Sequence, residues 1–170
     1  MENSFKTINI PTLKDYITGT ALFDDENERA RQKVYRTLVD LKGFDKKDIK
    51  PREIIKFPDK RGLSIIDSVV LIDDKCLMIV RYGLSSIVTR HRSALAAARI
   101  YSGKHIPYVV VTNGEDADIL DGKNGKILFQ GMDGVPSKGM LEKLSKRSFE
   151  IVSDRQLDME YKILYMFDVL

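Results

Sequence analysis

The sequence predicts an α/β protein in which one mixed β-sheet carries helices on its faces. Short runs rich in Val and Ile alternate with longer segments whose apolar residues recur at helical spacing. Two of the short runs flank the polar turn Asp73–Lys75, which is typical of a β-hairpin. The unbroken apolar run Pro107–Thr112 is typical of a central strand, and the helical segment before it provides a crossover connection.

The length and composition fit one globular domain. The chain has 170 residues, of which 43% are hydrophobic and 31% are charged. We expect a single domain over residues 1–170, with a core at about 24–130, an N-terminal extension and C-terminal helices. No apolar run is long enough to cross a membrane, and no signal-peptide pattern is present. The single cysteine, Cys76, excludes an intramolecular disulfide, so we expect a cytoplasmic protein.

The predicted elements follow one another in the order α, three β, α, three β, α, α. Before them, residues 12–17 predict a short helix that ends at Gly19. The first long helix starts at Asp24 or Asp25, where acids favour a helix N-terminus, and ends at Gly43. Its apolar stripe consists of Ala30, Val34, Leu38 and Leu41.

The remaining elements are predicted from periodicity and from breaker residues. A strand at 52–57 precedes the hairpin, after a turn or short helical turn at 45–50. The second long helix is capped by Ser85 or Ser86 and runs to about Tyr101. The turn Asp121–Gly125 joins two further strands. The last two helices begin near Ser137 and Asp154.

Asp67 interrupts the first apolar run of the hairpin. An acid costs several kcal/mol to bury without a partner or a metal. Side chains alternate across a strand, so Asp67 and Arg81 of the next run are expected on one sheet face, where the guanidinium can pair with the carboxylate. An acid and a charged residue at the end of a hairpin outline a metal-nuclease site. The alternative is that Asp67 lies at a strand end and caps or pairs with a neighbour.

The net charge of +3 is too small to imply nucleic-acid binding, but its distribution is uneven. The span Cys76–Gly114 contains no Asp or Glu. Its cations predict a positive field suited to a polyanion. The alternative is a solvated helix face balanced by acids elsewhere in the fold. The residues that we expect to contact a phosphate backbone are Arg90, Arg92, Arg99 and Lys104.

Several local motifs, taken in order, resemble the N-terminal nuclease domain of type I restriction enzyme R subunits, a member of the PD-(D/E)xK superfamily. They are the segment Glu28–Gln32 (Glu-x-x-Arg-Gln), which looks like the family's opening Glu-x-x-x-Arg-Gln helix, the strand Ile66–Val70, the run Pro107–Gly114 and the segment Ile119–Asp121. The resemblance covers roughly Glu26 to Gln130. It implies a restriction-endonuclease-like fold of three layers, with a central mixed sheet flanked by helices.

The resemblance also implies a site chemistry. In such families, acids on adjacent strands hold a divalent cation, usually Mg²⁺, which polarises the scissile phosphate and activates a water molecule. Here Asp67 is kept, but the Glu-x-Lys positions fall on Arg81-Tyr82-Gly83. Glu28 and Asp67 are therefore vestigial catalytic candidates, and Arg81 replaces the motif acid. Asp67 and Glu53 are the candidate metal ligands if the protein is active.

These observations favour a nuclease-fold protein that binds nucleic acid and has lost or weakened cleavage. The first alternative is an active Mg²⁺-dependent DNA endonuclease with a rearranged site. The second is a protein-interaction module without a nucleic-acid role. The expected partners are DNA and a protein that carries a motor or specificity function, with no membrane association.

Overall fold

The computed structural model describes residues 11–59, 62–84 and 86–168. The N-terminal half contains two short strands, one helix and the first three strands of a sheet, and the rest contains three further strands and three helices. In chain order these are β1 (Thr12–Lys14), β2 (Ala21–Phe23), α1 (Glu26–Arg36), β3 (Ile49–Lys56), β4 (Leu63–Ile72), β5 (Lys75–Tyr82), α2 (His91–Ser102), β6 (Tyr108–Thr112), β7 (Ala117–Asp121), β8 (Ile127–Gln130), α3 (Lys138–Ser145) and α4 (Asp154–Asp168).

The main sheet contains six strands in the order β3-β4-β5-β6-β7-β8. Among the strands that the structure describes, only β5 and β6 pair in parallel, and α2 connects them as a crossover. The other neighbouring strands are antiparallel. Asp73 and Asp74 both have positive φ in the β4–β5 connection, as a tight two-residue hairpin turn requires. The predicted mixed sheet, its hairpin and its central parallel strand are therefore confirmed.

Helices cover both faces of this sheet. Alanines of α2 and Leu164 of α4 pack with Ile79 and Val111 on one face. Val34 of α1 and Leu141 of α3 pack on the other face. The three layers agree with the expected restriction-endonuclease-like fold. Within the described residues, no helix is both long and apolar enough to cross a membrane.

The structure corrects two predictions near the N-terminus. Residues 12–14 form β1, not a helix, because they pair with β2 in a small separate sheet. Leu41 is 77% exposed, so it does not belong to the apolar stripe of the first helix. After α1 the chain continues as a π-helical turn, Thr37–Leu41, whose wider winding changes the direction of the side chains relative to an α-helix.

The start of α2 also differs from the prediction. The helix begins at His91, after a 3₁₀ turn at Val88–Arg90, and Arg90 provides no side-chain cap. Ser86 accepts a hydrogen bond at its carbonyl from the Thr89 hydroxyl, and Ser85 lies outside the described residues. Arg90, at the end of this 3₁₀ turn, lies close to Gly83, the residue that follows β5.

Candidate functional site

Three of the predicted site residues lie together. Asp67 precedes Ser68 on β4, and Arg81 follows Val80 on β5. Because Ser68 and Val80 are paired in this antiparallel hairpin, Asp67 lies beside Arg81. The Nε atom of Arg81 lies 3.9 Å from Oδ2 of Asp67. Glu28 approaches from the first turn of α1. All three side chains are buried.

Arg31 connects Glu28 to Asp67. Its Nε donates to Oδ1 of Asp67 at 2.6 Å, and its Nη1 donates to Oε2 of Glu28 at 3.2 Å. Glu28 and Arg31 are three residues apart on α1 and therefore share a helix face. The second oxygen of Asp67 accepts the backbone N–H of Tyr82 at 2.7 Å. Arg31 thus lies closer to Asp67 than Arg81 does, although the sequence predicts Arg81 as the partner.

A second arginine extends the network to the N-terminal hairpin. Nη1 of Arg52 donates to Oε1 of Glu28 at 3.1 Å, and Nη2 donates to Oδ2 of Asp15 at 2.5 Å. Gln32 donates to both of these carboxylates, at 2.8 Å and 3.2 Å. We call the alternating set the carboxylate–guanidinium chain. It runs in the order Asp15, Arg52, Glu28, Arg31, Asp67 and Arg81.

The formal charges of the carboxylate–guanidinium chain cancel. It contains three carboxylates and three guanidinium groups, all joined by contacts of at most 3.9 Å. Burial raises the pKa of Asp15, but the backbone N–H of Thr18 and the Arg52 guanidinium outweigh it, so the net direction is downward. Burial alone would lower the pKa of Arg31, but Asp67 and Glu28 raise it. The network therefore favours the charged form of its end residue Asp15 and of Arg31.

The side chains at this site do not fit a Mg²⁺ ion. The ion requires oxygen ligands that converge on one point, and here each candidate carboxylate already contacts a guanidinium group. Glu53, the other expected ligand, accepts a hydrogen bond from the Tyr101 hydroxyl of α2 at 2.8 Å. Among the residues that the structure describes, no group of three or more His, Cys, Asp or Glu side chains is arranged to hold a metal.

Arg99 is turned into the protein. Its Nη1 lies 2.6 Å from Oε1 of Glu160 on α4, and its other nitrogens donate to the carbonyls of Gly122 and Lys123. Arg92 approaches the second oxygen of Glu160 at 3.2 Å, and its side chain is 45% exposed. Arg99 is therefore not available to a phosphate backbone, which corrects the prediction for this residue.

The other two predicted phosphate contacts lie at opposite ends of α2. Arg90 precedes the helix, and a Cβ added at Gly83 would overlap its guanidinium. Lys104 is exposed just after the helix. A helix of 12 residues is about 18 Å long. The span Cys76–Gly114 thus does not form one continuous basic surface. Glu160 balances part of its positive charge, as the alternative interpretation stated.

No local signal in the sequence marks Asp15 and Arg52 as part of this region. Asp15 and Arg52 are 37 positions apart, and no spacing rule connects them. Gln32 follows Glu28 by one helical turn, which is a usable signal for their contact. A further buried acid, Asp118, contacts Nε2 of His91 at 2.8 Å, and the positions of these two residues in the sequence do not predict the contact. The contacts of Asp15 and Asp118 depend on the packing of elements that are distant in the chain.

Comparison with protein families agrees with this architecture. Residues 26–136, more than half of the chain, match the family described as type I restriction enzyme R protein N terminus (HSDR_N). Comparison with curated proteins and with solved structures gives no match. The matched segment begins with α1 and ends after β8, so it contains the whole six-stranded sheet. On this evidence, the chain belongs to the family of type I restriction enzyme R protein N-terminal regions.

Proposed function

We propose that this protein is a nucleic-acid-binding domain with a PD-(D/E)xK nuclease fold that has lost metal-dependent cleavage. Membership of the type I restriction enzyme R family supports the choice of DNA as the nucleic acid. The observation that carries the loss of cleavage is the carboxylate–guanidinium chain, in which arginines occupy the space around Asp67 and Glu28.

The physical argument concerns competition between cations. A divalent ion at Asp67 would have to displace Arg31 and tolerate Arg81, whose Nε lies 3.9 Å from the carboxylate. At about 4 Å and an effective dielectric near 20, a unit charge and a guanidinium repel by roughly 4 kcal/mol. Mg²⁺ also releases its water reluctantly. An ion held by so few free oxygens does not overcome this repulsion.

The proposal includes a second protein. Since the family comprises the N-terminal regions of restriction R proteins, we propose a partner that carries a motor or specificity function. Arg90 and Arg92, at the start of α2, are the cations that we assign to the DNA backbone, whereas Lys104 lies at the other end of that helix. The same proposal places the protein in the cytoplasm, where it meets DNA.

The test measures binding and cleavage on the same duplex. We expect DNA affinity to fall steeply across a salt series, because several phosphates release counterions. We expect no cleavage in Mg²⁺ or Mn²⁺. The variant Arg90→Ala with Arg92→Ala should bind less tightly than the wild type. The control is Lys126→Ala with Arg155→Ala, which removes the same charge at two exposed residues outside the proposed contacts.

Three outcomes contradict the proposal or one of its parts. Cleavage by the wild type that disappears in Asp67→Ala shows that the site rearranges around a metal, and the protein is then an active endonuclease. Absence of DNA binding at low salt removes the nucleic-acid role and leaves the protein-interaction module as the function. Equal affinity of the two double variants excludes Arg90 and Arg92 as the contacts.

A further inference from the structure

A cavity of about 710 Å³ lies at the end of the sheet opposite the candidate site. It is lined by the β4–β5 turn, the end of α2 and the segment between α3 and α4. Cys76 lines it near the start of β5, whereas Arg81 is five residues further along that strand, about 16 Å away. We call it the basic cavity. Its charged and aromatic lining includes Lys50, Lys75, Lys104, Arg147, Tyr101 and Phe149.

The four cations of the basic cavity differ from those around Asp67. In the part of the chain that the structure describes, none of them forms an ion pair. Lys75 donates to the carbonyl of Ser145, which holds its charge at the cavity wall. One acid, Asp74, lies among them. Like charges gathered around one space attract an anion with several oxygens.

The rest of the lining is neutral and partly apolar. Tyr101 donates its hydroxyl to Glu53, which fixes its ring, and Phe149 is partly buried nearby. Ile151, which is 74% exposed, lies at the same cavity. Burial raises the pKa of Cys76 to about 12, so its thiol carries no negative charge at neutral pH. Cations beside aromatic and aliphatic surface suit a ligand that has both a phosphate and a flat ring.

We infer that the basic cavity binds a nucleotide unit, either a free nucleotide or the end of a nucleic-acid strand. Lys104 and Arg147 contact the phosphate, and the base lies against Tyr101, Phe149 and Ile151. The volume is in the range of ligand-binding clefts, about 300–1,000 Å³. The basic cavity is separate from the carboxylate–guanidinium chain. Nucleotide binding in the basic cavity does not require the protein to bind DNA near Asp67.

The experiment is a titration of the full chain with adenosine 5′-monophosphate, followed by amide chemical shifts. We expect shifts that concentrate at Lys75, Lys104 and Ser148. Inorganic phosphate and adenosine should each shift the same amides with lower affinity than the nucleotide, because each makes only part of its contacts. The variant Lys104→Gln with Arg147→Gln should weaken nucleotide binding at least about tenfold, because two charge-assisted contacts are lost.

The matched control is Lys33→Gln with Lys126→Gln, which removes two exposed lysines outside the basic cavity. An equal loss of affinity in both double variants, or no shift at the cavity at low salt, overturns the inference. Phosphate that binds as tightly as the nucleotide excludes a role for the base and overturns it as well.

Competition with a 5′-phosphorylated oligonucleotide identifies the source of the nucleotide. Tighter binding of the oligonucleotide assigns the site to a strand end, and tighter binding of the nucleotide assigns it to a free ligand. Both results support nucleotide binding in the basic cavity. Arg90→Ala with Arg92→Ala should leave nucleotide binding unchanged, so a failure of the proposed DNA contacts is distinguished from a failure of this site.

Discussion

At the scale of single residues, Arg31 holds two buried carboxylates with one side chain. Its guanidinium contacts both Asp67 and Glu28, and its side chain is only 25% exposed. Removing one partner of a buried pair leaves an uncompensated charge, which costs far more than the pair itself contributes. The candidate site is therefore more sensitive to the loss of Arg31 than to the loss of an ordinary surface arginine.

We expect Arg31→Ala to lower the free energy of unfolding by about 3 kcal/mol, because Asp67 and Glu28 stay buried with fewer partners. Urea denaturation at neutral pH measures this change. Arg29→Ala is the matched control on the same helix. Arg29 pairs with Asp24 while its side chain is 67% exposed, so its removal should change stability little. Equal losses in the two variants would mean that the network does not stabilise the fold.

Asp15 predicts a dependence of stability on acid pH. Burial raises its pKa, but the Thr18 N–H and Arg52 bring the net pKa below the usual 3.8. A carboxyl with a lowered folded-state pKa contributes stability above its unfolded-state pKa, and this is lost as pH falls through the folded-state value. We expect the wild type to lose stability more steeply than Asp15→Asn as pH falls below about 4. Parallel curves in urea denaturation from pH 6 downward would contradict this expectation.

At the scale of elements, α4 is attached to α2 through a buried acid. Glu160 is fully buried, accepts from Arg99 at 2.6 Å and lies 3.2 Å from Arg92. The family match ends at residue 136, so α4 lies outside it. The helix nevertheless contributes Leu164 to the core on the α2 face of the sheet. It is thus part of the packed structure that supports α2.

We expect Glu160→Ala to lower the free energy of unfolding by about 3 kcal/mol, because Arg99 stays buried without its carboxylate. Asp158→Ala, which removes an exposed acid from the same helix, is the control and should have little effect. Chemical denaturation of both variants tests the difference. A Glu160→Ala variant as stable as the control would show that apolar packing alone holds α4 in place.

Local pattern explains which elements were predictable. The hairpin β4–β5 and the strand β6 have apolar runs bounded by turn residues, and the structure has them where expected. β1 was missed because a strand of three residues has too short a pattern to outweigh helix signals. Arg99 was expected at the surface because its partner, Glu160, is 61 positions away. Contacts at such separation leave no local trace.

At the scale of the whole molecule, cations are used in two different ways. Around Asp67 they neutralise carboxylates, and around the basic cavity they face an open space. The sequence predicted that Asp67 and Arg81 meet, because the hairpin register follows from alternation. It did not predict Arg31, Arg52 and Asp15 as their neighbours, since these come from a helix, an edge strand and a separate hairpin.

A rebuilt metal site tests this distribution of charge. Arg81→Glu with Gly83→Lys restores the family pair, but Arg31 still holds Asp67 and Arg90 occupies the space above Gly83. We therefore expect a gain of Mn²⁺ binding only when Arg31→Ala and Arg90→Ala are added. Electron paramagnetic resonance of Mn²⁺ measures it. The control variant carries the other three substitutions without Arg81→Glu, and it should not bind Mn²⁺. Specific Mn²⁺ binding by the wild type near Asp67 would contradict the argument.

The shared space above Gly83 restricts the order in which substitutions can accumulate. A side chain at position 83 and the guanidinium of Arg90 overlap, so a variant with both must push the flexible arginine aside. A shorter residue at position 90 removes the obstacle first. The two positions are therefore expected to change as a pair, with position 90 leading. A lineage that keeps Arg90 can accept a side chain at position 83 only if this arginine moves away from the end of β5, whatever selection acts on the reaction.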